Sequence, residues 1–303
     1  MKADKIWMDG EFIDWKDAKV HVLTHALHYG SGVFEGIRAY KTDQGPAVFR
    51  LKDHVDRLFN SAKILRLDIP YSKEEIARAI KETVMINKLD NCYIRPLVYR
   101  GFNKLGLNPF SCPIQVMIAT WEWGAYLGEE ALAKGIKAKI STWQRSHVNT
   151  TSAKAKICGN YINSLFSKME AIEAGFEEGI LLDSNGYVAE GSGENIFWVK
   201  DGVVFTPPLT SVLEGITRKT VMTIAKDMNF EVKEDLVARD VLYLADEVFF
   251  VGSAAELTPV REIDNYTIGS GDRGPISKQI QEKLFNVFKG KEKKYLDWLD
   301  FIS

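Results

Sequence analysis

The sequence predicts an α+β protein of two domains, a small N-terminal α/β domain and a larger C-terminal domain with a β-rich core. Three observations carry that prediction. Strand-like and helix-like segments alternate, yet without the regular βαβ period that a doubly wound parallel sheet imposes. The chain has 303 residues, 46% hydrophobic and 26% charged, which is apolar material for one large core or two moderate ones. The periodic pattern then breaks at residues 123–128, WGAYLG, where aromatics and glycines replace regular spacing. The expected boundaries are 1–121 for the small domain, 122–134 for the inter-domain loop and 135–303 for the large domain.

Between residues 52 and 68, Val55, Leu58, Phe59, Ala62 and Leu65 share one helical stripe. A second helix opens with Ser72 and Glu75 at capping-box spacing and buries Ile76, Ile80 and Val84. Residues 93–100 and 114–121 are β-branched and aromatic runs bounded by Asn, Gly and Pro, so they read as strands. Past the break, a strand at 136–142 leads into an irregular polar segment, 144–152. The next helix carries Ile162, Leu165, Phe166 and Met169 on one face and ends at Gly175. From 179 to 204 the chain reads as a strand meander, turned by Asn185-Gly186 and Asp201-Gly202. Helices at 217–228 and 275–288 complete the pattern.

A formal net charge of −2 and a sequence pI of about 6.3 give no electrostatic pull toward nucleic acid or an anionic membrane. No run of 18 apolar residues exists, and the N-terminal stretch lacks the apolar core of a signal peptide. Cys92, Cys112 and Cys158 show no paired spacing and suit a reducing compartment. The expectation is a cytoplasmic protein that engages neither nucleic acid nor membrane.

Several segments carry candidate chemistry. AKICGNY, 155–161, sets Lys156 among small residues just before an apolar helix, where partial desolvation would make an amine nucleophilic. On those grounds Lys154 is an equal candidate, and a solvated loop lysine is the commoner case. AEGSGENIF, 189–197, brings two carboxylates, Glu190 and Glu194, next to glycines that permit close backbone approach to a planar ligand. The same pattern also suits an ordinary hairpin. Gly215-Ile216-Thr217-Arg218 opens a helix whose free N–H groups suit an anion, and Gly252-Ser253-Ala254-Ala255 forms a second small-residue turn. Arg57 could serve a phosphate or simply pair with Asp53 at i,i+4. Two further signals are set aside. GSGDRG at 269–274 matches a dinucleotide fingerprint without the strand or βαβ context it needs. His21, His25 and His28 have no carboxylate or cysteine companions, so no metal site is expected.

Taken together and in order, AKICGNY, AEGSGENIF, EGITR and LADEVFFVGSAAELTPV resemble the fold-type IV pyridoxal-phosphate enzymes, whose fold is that of D-amino-acid aminotransferase. HALHYGSGVFEGIRAY, RLKDHVDRLFNSAKIL, YIRPLVYRG and WGAYLG resemble the branched-chain amino-acid aminotransferases in particular, and the likeness runs over nearly the whole chain. The resemblance implies pyridoxal 5′-phosphate as cofactor. It also implies amino-group transfer from L-leucine, L-isoleucine or L-valine to 2-oxoglutarate in two half-reactions. Lys156, four residues before the Asn160-Tyr161 pair, is implied as the catalytic lysine that carries the cofactor.

By the same resemblance Glu190 pairs with the pyridine nitrogen, Tyr161 with the phenolate oxygen, and Glu194 supports the site from behind. Arg57, Ile216, Thr217 and Ser253 are implied to hold the phosphate. Substrate recognition would fall to Tyr29, Phe34, Gly36, Arg38, Tyr93, Arg95, Trp123 and Tyr126, with the Ser253-Ala254 turn taking the α-carboxylate. Partners would be amino acids, 2-oxo acids and at least one further copy of the chain, with dimer, tetramer and hexamer all open. Leu105–Pro109 would be the loop that completes a neighbour's site. D-amino-acid aminotransferase and aminodeoxychorismate lyase share the fold; VFEGIR and YIRPL favour the L-branched type. A non-catalytic cofactor-binding protein would have no need of Lys156, Glu190, Arg57 and Tyr161 together.

Overall fold

Side-chain alternation along one long strand organises the first part of the molecule. A computed structural model describes residues 3–124 and 128–302. They form two compact units, Met1–Trp123 with Ala155–Asn160 and Val287–Ser303, and Gly124–Lys154 with Tyr161–Asn286.

In the first unit, the strand Cys92–Arg100 sends Ile94 and Val98 to one face and Tyr93 and Arg95 to the other. Around it runs an antiparallel sheet in the order Leu299–Phe301, Gly45–Phe49, Ile37–Thr42, Cys92–Arg100, Ile114–Trp121, Lys5–Met8, Glu11–Asp14. The short strand Gly32–Phe34 pairs with the other half of Cys92–Arg100. The helices Leu51–Ile64 and Lys73–Ile86 close the Ile94–Val98 face, packing Val55, Leu58, Ala62, Ile76, Ile80 and Val84 against Ile37, Val48, Val116 and Ile118. Each fully buried Leu or Ile there contributes about 1.5–3 kcal/mol. The second helix begins as its sequence predicts: the Glu75 N–H donates to Ser72 Oγ and the Ser72 N–H to the Glu75 carboxylate.

The second unit closes a ring of strands. Val188–Gly191, Glu178–Leu182, Ile136–Gln144, Glu256–Ile263, Glu247–Gly252 and Asn195–Lys200 are hydrogen-bonded in that order, and Asn195–Lys200 pairs back to Val188–Gly191. Closure removes two edges that would otherwise expose unpaired backbone groups. The Asp201-Gly202 turn has φ of 49° and 78°, the geometry a two-residue hairpin requires.

The helix Tyr161–Glu173 packs on this sheet through Ser164, Ser167 and Ala171. A Cβ on Gly179 would come within 2.2 Å of Ser167 Oγ, so helix and strand approach closely because both surfaces are small. The larger stripe of Ile162, Leu165, Phe166 and Met169 is turned outward, between 38% and 54% exposed. Small residues win the inward face because bulky ones would hold the helix off the sheet.

Candidate active site

Within the first unit, Arg95 lies among aromatic rings. Its guanidinium carbon is 4.7 Å from the ring centre of Phe34, 5.2 Å from Tyr93 and 5.9 Å from Trp121. Arg95 Nη2 donates to Tyr93 Oη at 3.0 Å, while its buried Nε has no hydrogen-bond partner among the described residues. A half-buried cation with donors to spare suits a guest carboxylate. Trp123 packs edge-on against Tyr93 at 4.6 Å. Gly36 makes room for this arrangement, since a Cβ there would lie 2.0 Å from Tyr93 Oη. Arg38, 5% exposed, donates to the Trp123 carbonyl at 3.2 Å.

Lys156 also lies against the Phe34 ring, with Nζ 4.8 Å from its centre. Its backbone is tied down at both ends: the Lys156 N–H donates to Ser61 Oγ at 3.0 Å, and the Phe34 N–H donates to the Lys156 carbonyl at 3.1 Å. Lys154 is occupied differently, its amine donating to the Leu209 carbonyl. Arg57 reaches the wholly buried Glu35 through Nε at 2.7 Å and Nη2 at 2.9 Å, and His54 Nδ1 lies 2.7 Å from the same carboxylate. The Arg57 and His54 contacts hold the Glu35 carboxyl well below its ordinary range despite its burial, and burial pushes the His54 imidazole below its ordinary value. Tyr29 closes the helix His25–Tyr29 at 44% exposure and is not among the rings packed on Arg95. Tyr126 falls outside the described residues.

The second unit holds the other predicted groups. Glu190 and Asn195 are directly paired across their hairpin. The Glu190 carboxylate meets Arg145 Nη2 at 2.6 Å and accepts from Asn195 Nδ2 at 3.3 Å; Asn195 Nδ2 also donates to the Leu213 carbonyl at 3.0 Å. Glu194, 5% exposed, is pushed up to about 8 by burial, with the Glu178 carboxylate adding repulsion. At neutral pH it is therefore largely protonated. Tyr161 is half-buried at the start of its helix, and Ser253 and Ala254 form the turn between Glu247–Gly252 and Glu256–Ile263.

Ile216 and Thr217 begin the helix Ile216–Asp227, where Gly215 stands at the N-cap and supplies no side-chain cap. The helix Pro275–Phe288 behaves in the opposite way: Glu247 accepts from the Ile276 and Ser277 N–H groups at 2.8 and 2.7 Å. That internal carboxylate occupies the helix N-terminus behind GSGDRG, which gives the glycine-rich loop a structural role. Among the described residues no carboxylate caps the Ile216–Asp227 terminus in this way, and its N–H groups fit a phosphate. With a buried, oriented carboxylate at Glu190, the residues fit pyridoxal 5′-phosphate. The three histidines are engaged separately, His25 by Ser31 and the Gly106 carbonyl, His28 by the Val22 carbonyl, and His21 by the Leu23 N–H.

Sequence reasoning missed four members of these networks: Arg145, Asn195, Glu35 and His54. Arg145 sits in the polar segment that had no periodicity to interpret. His54 had one legible signal, its i,i+3 spacing from Arg57 on a helix.

The chain matches the family model for amino-transferase class IV over residues 32–263. It is 51% identical over 298 residues to a branched-chain-amino-acid aminotransferase of Pseudomonas aeruginosa, covering 98% of this chain and 97% of that one. The crystal structure of the Escherichia coli branched-chain amino acid aminotransferase superposes with a TM-score of 0.98 at 49% identity, covering all of both chains. The branched-chain amino acid aminotransferase from Thermobaculum terrenum, solved in its PLP form, does so with a TM-score of 0.93 at 32% identity, covering 99% of each chain.

Proposed function

The chain belongs to the class-IV aminotransferases, among the branched-chain amino-acid aminotransferases, and from that premise we propose that it passes the amino group of L-leucine, L-isoleucine and L-valine reversibly to 2-oxoglutarate. Pyridoxal 5′-phosphate, when bound, supplies the carbonyl that takes up the amino group and a ring that withdraws the electron pair left at Cα.

The chain's own residues do the rest. Lys156 would bind the cofactor covalently through Nζ, then carry the proton between substrate Cα and cofactor C4′. Glu190, oriented by Arg145 and Asn195, would keep the ring nitrogen protonated. Glu194 is neutral near pH 7 and adds no second negative charge beside it. Tyr161 would hydrogen-bond the ring oxygen. The Ile216 and Thr217 N–H groups, with Arg57 and Ser253, would hold the phosphate. The Ser253-Ala254 turn would take the substrate α-carboxylate.

The observation that carries the substrate assignment is the arginine among aromatic rings. One pocket must accept a branched aliphatic side chain in one half-reaction and the distal carboxylate of glutamate in the other. Phe34, Tyr93 and Trp123 offer apolar surface for the first, and Arg95 offers a cation with spare donors for the second. Gly36 and Arg38 shape that wall, and Tyr29 and Tyr126 complete the proposed set.

Self-association belongs to the same proposal. Leu107, in the loop expected to complete a neighbour's site, is 88% exposed, and the outward stripe of Tyr161–Glu173 gives a second apolar surface for another copy. Among the described residues no helix is long and apolar enough to cross a membrane; we place the enzyme in the cytoplasm.

The test is a coupled assay with 2-oxoglutarate against L-leucine, L-isoleucine, L-valine, D-alanine and 4-amino-4-deoxychorismate. Turnover of the three L-amino acids alone is expected. Turnover of D-alanine, or pyruvate release from the chorismate derivative, would overturn the substrate assignment while leaving the fold intact.

A further inference from the structure

We propose that Glu35 and His54 are positioning residues for the cofactor phosphate: they fix the guanidinium of Arg57, and the phosphate affinity of the site depends on them although neither reaches the phosphate. The proposal rests on Arg57 being a phosphate ligand, as read above.

The geometry supports an anchor. Glu35 is 0% exposed, and a carboxylate so placed persists only if its charge and lone pairs are met. They are met by three donors: Arg57 Nε at 2.7 Å on one oxygen, and Arg57 Nη2 at 2.9 Å with His54 Nδ1 at 2.7 Å on the other. The Glu35 carboxylate can only accept, so His54 Nδ1, 2.7 Å away, carries the proton that points at it.

The fork of Arg57 is thereby gripped along one edge, which fixes the plane and direction of the whole guanidinium. His54 and Arg57 are one turn apart on Leu51–Ile64, so one rigid helix supplies both. Glu35 in turn is held by the sheet, its N–H donating to the Pro96 carbonyl at 2.9 Å. The adjacent Phe34 N–H holds the Lys156 carbonyl, and Ser61 on the same helix accepts from the Lys156 N–H. The cofactor lysine and the phosphate arginine are thus referenced to the same two elements.

Removing the Glu35 charge has two opposed effects. It unmasks the positive charge of Arg57, which would tighten phosphate. It also frees a long side chain that must then be ordered anew at each binding event, which would weaken phosphate. Two anchored N–H bonds on a side chain only 14% exposed make the second effect the larger.

The experiment measures dissociation constants of pyridoxal 5′-phosphate and of pyridoxal, which lacks the phosphate, on cofactor-depleted full-length protein by tryptophan fluorescence. The expected result for Glu35→Gln is a tenfold or greater fall in the preference for the phosphorylated form, with pyridoxal affinity within about threefold of the unsubstituted protein. His54→Gln lowers the preference by a smaller factor. In an Arg57→Gln background, adding Glu35→Gln changes it no further. An unchanged or increased preference in Glu35→Gln overturns the proposal, and so does an equal loss of both ligands, which marks a general lesion. Should Glu35→Gln not fold, an unchanged preference in His54→Gln overturns it. If Arg57→Gln itself leaves the preference intact, the reading of Arg57 falls, and this proposal with it.

Discussion

Arg95 and Glu194 meet burial in opposite ways, and each way makes a prediction. Arg95 keeps its charge by lying against aromatic faces, with donors left for a ligand. Arg95→Gln is expected to raise the KM for 2-oxoglutarate about tenfold to a hundredfold, the worth of a charge-assisted hydrogen bond. The leucine half-reaction, measured by stopped-flow absorbance, should change far less; an equal loss in both would remove the dual-recognition argument. Glu194 meets burial by holding its proton, to about pH 8 rather than the ordinary 4.5. Between those values the folded protein binds a proton that the unfolded chain has released. Its stability therefore falls as pH rises through that window, by at most ~1.4 kcal/mol per pH unit. Glu194→Gln lacks this dependence, so its melting temperature relative to the unsubstituted protein should climb from pH 5 to pH 8. A difference flat with pH would show that the group is not held neutral.

At the scale of elements, two helix N-termini in one unit take opposite roles. Pro275–Phe288 is capped by Glu247 of its own chain, whereas Ile216–Asp227 opens on Gly215, which offers no side-chain cap. Gly215 also has no room for a side chain, since a Cβ would fall 1.9 Å from Asn195 Oδ1. Asn195 is the residue that joins the Leu213 carbonyl to the Glu190 carboxylate. Gly215→Ala should therefore push on Asn195 and cost about 1–3 kcal/mol in overpacking. Cofactor retention on dialysis, followed by absorbance, should fall in the same variant. Full retention with an unchanged melting temperature would mean that the loop adjusts freely.

For the molecule as a whole, the outward stripe of Tyr161–Glu173 matters most. Five large apolar side chains on that helix, Ile162, Leu165, Phe166, Met169 and Ile172, are 38% or more exposed, and Trp143 stacks on Phe166 at 4.5 Å. Such a patch is costly in water unless another surface covers it. Leu165→Glu should leave the fold intact by circular dichroism while lowering the mass seen in sedimentation velocity. A variant of unchanged mass would assign self-association to a different face.

The sequence by itself determined the α+β class, the capped helix at Ser72, the Asp201-Gly202 hairpin and the family, because these depend on local spacing and on ordered motifs. Arg57, Lys156 and Glu190 became site candidates for the second reason: their neighbours in sequence are distinctive. Only the tertiary structure decided what surrounds them. Arg145 reaches Glu190 from 45 positions away in the chain, and Glu35 reaches Arg57 from a separate element. It also decided that Ser164, Ser167 and Ala171, rather than the larger stripe, face the sheet. Hydrophobic periodicity shows that a helix has an apolar face. Whether that face turns inward depends on how closely the sheet approaches, and Gly179 beneath Ser167 set that distance.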